Sequence, residues 1–137
     1  MPEYGTYEKV PRPESIDALV GYLRKNDVVA SVELVPPQIL QVRRVRKSNL
    51  RVFMTNSYIT GEADVYEILG HNRGVNVIVS MSAWNSYTSS AKELCEERGV
   101  GLFTFKEFLG AVYYDGHRFL DYQPPDRDER VGSKRSA

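Results

Sequence analysis

The stretch that decides the fold is residues 75–104, which read VNVIVSMSAWNSYTSSAKELCEERGVGLFT. Its first six residues are almost wholly apolar, which predicts a strand covered by helices on both faces of a sheet. A helix follows, and its inward face is formed by Tyr87, Ala91, Leu94 and Cys95. Gly99 supplies a left-handed stop for that helix, and Gly101–Thr104 then returns as a short strand. This order of strand, helix and strand predicts an α/β domain.

A strand and a helix precede this stretch and keep the same alternation. Leu50–Thr55 has the composition of a strand, and Thr60 is placed to cap the helix that follows. Gly70 is expected to close that helix. The buried stripe of the helix is formed by Val65, Ile68 and Leu69.

A final helix follows the stretch. Thr104 and Glu107 form a capping box at its start, and Phe103 is placed to pack on Phe108 across the first turn. The apolar positions of this helix are Phe105, Phe108, Leu109 and Val112. A turn signal comes next, so residues 113–122 are expected either to return as a short hairpin or to pack against the core.

The folded part of the chain opens with one helix and one strand. Ser15 is a candidate N-cap, and the helix is expected to end near Asn26. The apolar face of this helix is formed by Ile16, Leu19, Val20 and Leu23. Residues 28–35 are rich in β-branched side chains and predict a strand, which Pro36 and Pro37 stop.

Residues 38–47 decide between two folds. Their apolar positions fit neither period cleanly, so they form either a strand, joined to the next strand by a turn at Ser48 and Asn49, or a helix begun by the prolines. We favour the strand, which predicts a three-layer α/β sandwich with a mixed central sheet. The helix predicts a Rossmann-like parallel sheet instead.

Composition indicates one domain, because 137 residues suffice for a single core. We expect an extended arm over residues 1–13, the α/β domain over residues 14–122 and a disordered charged tail over residues 123–137. The only cysteine, Cys95, excludes an intramolecular disulfide and lies on an apolar helix face, where a small buried side chain is expected. No apolar run approaches the ~20 residues that cross a bilayer, so we expect no membrane partner and a cytoplasmic location.

Charge is balanced over the chain, with 18 basic and 18 acidic side chains, but one segment is strongly basic. Five cations and no acid fall within nine residues: Arg43, Arg44, Arg46, Lys47 and Arg51. Such a density neutralises phosphates and releases counterions, which gives salt-sensitive and largely sequence-independent binding of nucleic acid. The alternative is a solvated edge hairpin whose positive charge blocks edge-to-edge aggregation.

Two other sets of side chains follow predicted strands. The aromatic set is Tyr58, Trp84 and Tyr87, which either stack on a base or ring or pack the helix ends. The acidic set is Glu33, Glu62 and Asp64, which would hold a magnesium ion for phosphodiester hydrolysis if they converged. Glu62 and Asp64 also suit the first turn of a helix, where the helix dipole favours negative charge. Walker and dinucleotide-binding loops are absent from the sequence.

The predicted order of helix, three strands, helix, strand, helix, strand and helix resembles the restriction-endonuclease fold, and most closely its Mrr-type branch. Three segments carry the likeness: VIVSMSAW (77–84), YTSSAKEL (87–94) and GVGLFT (99–104). Mrr-like domains similarly run from a buried strand through a serine/threonine and aromatic loop into a helix, and then through a short strand into a last helix. The resemblance implies a nuclease-like fold.

The catalytic pattern of that family is missing. Such nucleases carry an aspartate on the second core strand and Glu-x-Lys or Gln-x-Lys on the third, where the acids bind magnesium and the lysine stabilises the attack. Here the second strand offers Gln41 and basic residues. The third strand carries Phe53 and Thr55 in the places of the acid and the lysine. The resemblance therefore implies a domain without the family's metal site.

Three functions follow from these patterns. The favoured one is a catalytically inactive, nuclease-like domain that binds nucleic acid through the basic segment and is a candidate subunit of a defence or DNA-processing assembly. The second is an active magnesium-dependent endonuclease with displaced acids, such as Glu33 and Asp64. The third is a Rossmann-like module that binds a small ligand or a protein, including a second copy covering Phe119, Leu120 and Tyr122.

Overall fold

The computed structural model describes residues 9–82 and 84–124. The helices are α1 (Pro13–Arg24), α2 (Glu62–His71), α3 (Ser89–Glu97), α4 (Phe105–Ala111) and α5 (Gly116–Leu120). The strands are β1 (Val29–Val35), β2 (Ile39–Arg44), β3 (Leu50–Thr55), β4 (Ile59–Thr60), β5 (Val77–Ser80), β6 (Ser86–Tyr87) and β7 (Gly101–Thr104). Most of the expected arm and tail lies outside the described residues.

The main sheet is mixed and has the strand order β1-β2-β3-β5-β7. The strands β1, β2 and β3 are antiparallel neighbours, whereas β3, β5 and β7 run parallel. A second small sheet consists of β4 and β6. The α/β class and the strand predicted within residues 38–47 are confirmed. The alternative prediction of a helix in this segment is wrong, because β2 pairs with β1 and with β3. The alternative prediction of a Rossmann-like parallel sheet is also wrong, because both of these pairings are antiparallel.

Alternation along the strands sends side chains to two faces of the sheet. One face packs against α1, α4 and α5 and carries Leu40, Val42, Val52, Met54, Val77 and Val79. The other face packs against α2 and α3 and carries Phe53, Ile78 and Leu102. Helices therefore cover the sheet from both sides.

The helices α2 and α3 leave part of the sheet face on which they pack uncovered. Ser31, Glu33 and Arg43 are exposed there, while Gln41 and Arg51 are partly exposed. All five share one face of the sheet, because Glu33 pairs with Gln41, which in turn pairs with Arg51. Ser31 pairs in the same way with Arg43. We call the region formed by these five residues the open face.

Several local signals in the sequence are confirmed. Gly99 has φ of 72° after α3, as a left-handed stop requires. At the start of α4, the Thr104 hydroxyl accepts from the Glu107 amide at 3.3 Å, and the Glu107 carboxylate accepts from the Thr104 amide at 3.0 Å. The rings of Phe103 and Phe108 lie 6.2 Å apart, which is the expected contact across the first turn.

Other helix boundaries differ from the prediction. Ser15 lies inside α1, which begins at Pro13, because proline suits the first helical position. Thr60 belongs to β4, where it pairs with Tyr87, and Gly61 takes the cap position of α2. Gly70 does not close α2, which continues to His71.

The segment after α4 packs against the core instead of forming a hairpin. It contains the short helix α5, and Phe119 of that helix is only 5% exposed. The Phe119 ring meets the Phe103 ring edge-on at 5.1 Å. Tyr122 stacks on Tyr114 at 5.4 Å. Phe119 is therefore already covered within the chain and offers no surface to a partner.

Candidate nucleic-acid interface

The hairpin of β2 and β3 carries the basic segment. Arg43 lies near the end of β2, Arg46 and Lys47 lie in the turn, and Arg51 is the second residue of β3. Arg46 has φ of 64°, a left-handed backbone conformation that residues other than glycine, asparagine and aspartate rarely adopt. Because β3, β5 and β7 are parallel, the hairpin lies at the amino ends of these three strands.

Arg44 is separated from the other cations because its side chain is buried, with none of its surface exposed. Its Nε donates to the Ser48 carbonyl at 2.8 Å, and its Nη2 donates to the Asp115 carboxylate at 2.9 Å. Its Nη1 donates to the carbonyls of Val112 and Tyr114, at 3.0 and 2.6 Å. Burial lowers the pKa of Arg44, against the opposing effect of Asp115. This burial contradicts the prediction that Arg44 contacts phosphates.

Arg43 and Arg51 lie together on the open face. Arg51 is opposite Gln41 and donates from Nη1 to its Oε1 at 2.9 Å. Arg43 is two residues from Gln41 along β2, so it is the diagonal neighbour of Arg51, about 7–8 Å away. Both guanidinium groups are positively charged, and like charges on neighbouring strands repel each other. A bound anion would relieve this repulsion.

The exposed cations of the hairpin lack acidic partners. Among the described residues, the side-chain ion pairs are those of Lys9 with Asp64 and Glu67 and of Arg44 with Asp115. None involves the other four hairpin cations, of which Arg43 and Arg46 are exposed and Lys47 and Arg51 are partly exposed. Their positive charges are therefore not neutralised by direct contact with a carboxylate.

Arg73 joins this region and is not among the cations predicted from the sequence. Gly74 has φ of 86°, and a Cβ built on it would lie 3.5 Å from Cδ of Arg51. The loop between α2 and β5 thus packs on Arg51 and places the exposed Arg73 beside the hairpin. The Asn76 side chain also accepts from the Arg51 amide at 2.8 Å. Topology could have predicted the position of Arg73, because its loop and the hairpin lie at the same end of the sheet.

The candidate acids do not assemble into a metal site. Glu33 is on the edge strand β1, and Glu62 is exposed at the start of α2. Asp64 accepts from the Gly61 amide at 2.9 Å and lies 3.6 Å from Nζ of Lys9, so it caps α2 and forms an ion pair. Over the part of the chain that the structure describes, no three His, Cys, Asp or Glu side chains are grouped to hold a metal ion.

Phe53 and Thr55, at which the resemblance would place an acid and a lysine, have other roles here. Phe53 packs in the core beneath α2 and α3. The Thr55 hydroxyl accepts from the Ser57 amide at 3.1 Å. A cavity of about 130 Å³ adjoins both residues, and its further lining includes Lys9, Gln38, Asp64, Glu67 and His71. Lys9 lies within ion-pair distance of both acids, which reduces the negative charge of the cavity.

The aromatic candidates lie at the other end of the sheet. Tyr58 is 69% exposed and Trp84 is 83% exposed, so both are accessible for stacking. Tyr87 is half-buried and donates from its hydroxyl to the Glu107 carboxylate at 2.8 Å, and burial raises its pKa. Packing therefore accounts for Tyr87. The six residues of β3 separate these aromatics from the basic hairpin by about 20 Å, so the two sets are not brought together.

Comparison with protein-family models, curated proteins and solved structures finds no match. None of the described helices is both long and apolar enough to cross a bilayer.

Proposed function

We propose that this chain is a non-catalytic, restriction-endonuclease-like domain that binds nucleic acid through the phosphate backbone. The observation that carries the proposal is the group of exposed or partly exposed cations on the β2–β3 hairpin, which form no ion pair within the described residues. These are Arg43, Arg46, Lys47 and Arg51. Arg73, on the adjacent loop, extends the same positive surface.

The chemistry of these side chains favours phosphate as the ligand. Arginine presents a planar fork of donors that matches phosphate oxygens, and three of the four hairpin cations are arginines. Each cation that meets a phosphate releases condensed counterions, so affinity would fall as salt rises. Such binding does not require side chains that contact the bases. We expect sequence-independent affinity, in the range of about 10⁻⁴ to 10⁻⁶ M at physiological salt.

The element order and the mixed sheet support the family part of the proposal. A helix, three antiparallel strands and a return through helices to parallel strands is the arrangement that the Mrr-type resemblance implies. The phenylalanine and threonine at the catalytic places support the non-catalytic part. Phe53 is committed to the core and offers no metal ligand.

A filter-binding titration tests the binding claim. Duplex and single-stranded DNA and RNA would be titrated at about 50 mM salt, where phosphate contacts are strongest. The variant R43A/R46A/K47A/R51A is expected to lose most of the affinity. The matched control R12A/K106A also removes exposed cations, but from the start of α1 and from α4, and should keep it. If the wild-type chain retains none of these ligands, the proposal fails.

A cleavage assay tests the non-catalytic claim separately. Incubation with magnesium or manganese is expected to leave all four nucleic acids intact. Cleavage that disappears in Glu33→Ala or Asp64→Ala would support the displaced-acid enzyme instead. That outcome would leave the phosphate-binding claim standing.

A further inference from the structure

A groove of about 690 Å³ lies between α1, α4 and the loop that joins β5 to β6. Met81, which follows β5 directly, and Thr104, the last residue of β7, both line it, so it opens beyond the carboxyl ends of these strands. Ligands of open α/β sheets bind outside the carboxyl ends of the strands, and small-molecule sites measure about 300–1,000 Å³. We call this region the strand-end groove, and its lining includes Glu14, Asn85, Phe105, Lys106 and Leu109.

A buried amide of the strand-end groove has unused hydrogen-bonding groups. Asn85 is only 8% exposed, and its Nδ2 donates to Oδ1 of Asn56 at 3.3 Å. Within the described part of the chain, no hydrogen bond reaches Oδ1 of Asn85, and the second N–H of its Nδ2 has no acceptor. Buried side-chain polar atoms nearly always have a partner. The Asn85 amide therefore offers an acceptor and a donor, side by side, to a ligand in the groove.

Other lining residues supply a carboxylate and apolar walls. Glu14 is exposed at the start of α1 and forms no ion pair with a described residue. An acidic side chain that accepts hydrogen bonds from ribose hydroxyls is a common part of nucleotide sites in α/β folds. Met81 is buried, and Phe105 and Leu109 are partly exposed, so the groove has apolar surface for the faces of a planar ring. It thus combines groups suited to a base with a group suited to a ribose.

We propose that the strand-end groove binds a neutral adenine nucleoside. An asparagine amide pairs bidentately with adenine, because it accepts from the N6 amino group and donates to N7. Asn85 has both of these groups free. Guanine presents two acceptors, O6 and N7, on the same edge and would leave the Asn85 Oδ1 without a donor. The adenine ring packs on Met81, Phe105 and Leu109, and the ribose hydroxyls donate to the Glu14 carboxylate.

Charge favours the uncharged nucleoside over a ligand that carries phosphate. Glu14 and Lys106 are the charged residues among the described residues that line the groove, so their charges cancel. The phosphate surface proposed for the hairpin lies at the other end of the sheet, at the amino ends of β3, β5 and β7. Nucleoside binding therefore does not depend on the proposed function, and either can fail without the other.

Tryptophan fluorescence of the full chain tests nucleoside binding. Trp84 is the only tryptophan, is 83% exposed and lies in the same loop as Asn85, so a ligand in the groove is expected to change its emission. Titration with adenosine should saturate with a Kd of about 10⁻⁵ to 10⁻³ M. Guanosine should bind at least about fivefold more weakly, because it lacks the N6 donor. Unchanged emission together with no uptake of adenosine in equilibrium dialysis, or equal affinity for guanosine, would overturn the proposal.

Substitution of Asn85 tests the contact with the base. Asn85→Ala should weaken adenosine binding at least about fivefold. The matched control Asn56→Ala removes the same hydrogen bond between the two residues, but Asn56 does not line the groove, so this variant should keep the affinity. Wild-type affinity in Asn85→Ala, or equal losses in the two variants, would overturn the proposal.

Substitution of Glu14 tests the contact with the ribose and does not rely on a buried position. Glu14 is exposed, so Glu14→Ala is expected to fold. It should weaken the binding of adenosine and leave that of free adenine unchanged, because adenine has no ribose hydroxyls. Equal effects on adenosine and adenine, or no effect on adenosine, would overturn the proposed placement of the nucleoside.

Discussion

Arg43 and Arg44 are consecutive residues of β2, and their side chains point to opposite faces of the sheet. Arg43 is exposed on the open face, whereas Arg44 is buried and donates to three carbonyls and to the Asp115 carboxylate. The Arg44 guanidinium also lies 5.4 Å from the centre of the Phe119 ring. One strand thus supplies both an anchor for the segment after α4 and a cation for the proposed phosphate surface.

Arg44→Ala is expected to lower the free energy of unfolding by about 3–5 kcal/mol, because it removes a buried charge partner and leaves several carbonyls without donors. Arg43→Ala should change stability by less than about 0.5 kcal/mol, since its side chain is exposed. Urea unfolding followed by circular dichroism measures both. Equal losses in the two variants would contradict the different placement of these side chains.

The Asp115 carboxylate is expected to make stability depend on acid pH. Burial by itself would raise the pKa of Asp115, but hydrogen bonds from Ser48 and the charge of Arg44 outweigh it and lower the pKa. A carboxyl whose pKa is lower in the folded state stabilises the fold above its unfolded pKa of about 3.9. That contribution is lost as the pH falls through the folded pKa.

Asp115→Asn provides the measurement for this carboxylate. It should cost about 1–2 kcal/mol at pH 7, a reduced value because Asp115 is 40% exposed. The difference from wild type should shrink as the pH falls below about 3.9, because the carboxyl is then increasingly protonated in the unfolded chain. A difference that is the same at pH 7 and pH 3 would exclude this role.

Cys95 is expected to be unreactive in the folded chain. Burial raises the pKa of its thiol to about 11, although Lys92 acts in the opposite direction. The thiolate, which is the reactive form, is therefore scarce at neutral pH and also inaccessible. Labelling with a thiol reagent should be slow in buffer and complete in denaturant. Rapid labelling of the native chain would show that α3 opens readily.

The burial of Arg44 could have been predicted from the alternation within β2. Leu40 and Val42 are core residues, and Arg44 follows them at the same spacing of two. Once residues 38–47 are taken as a strand, this spacing assigns Arg44 to the buried face and Arg43 to the other. The density of the five cations along the chain does not by itself distinguish the two faces, so it predicts them as one set.

The remaining differences depend on contacts between distant segments. Arg73 reaches the hairpin through Gly74, which packs on Arg51, and no local pattern encodes that contact. Asp64 was a candidate metal ligand, but the placement of Lys9 determines its ion pair. Helix and strand order was predictable because it follows from local periodicity. The candidate site was less predictable because it combines the β2–β3 hairpin with the loop between α2 and β5, which are distant in the sequence.

The salt dependence of nucleic-acid binding tests the central claim most directly. The logarithm of the binding constant would be plotted against the logarithm of salt concentration for the wild type, R43A/R46A/K47A/R51A and the control R12A/K106A. Each lost phosphate contact should reduce the slope by about 0.9 on duplex DNA, so the fourfold variant is expected to lose up to about 3.6. The control should keep the wild-type slope. A wild-type slope near zero, or an unchanged slope in the fourfold variant, would contradict binding through the hairpin.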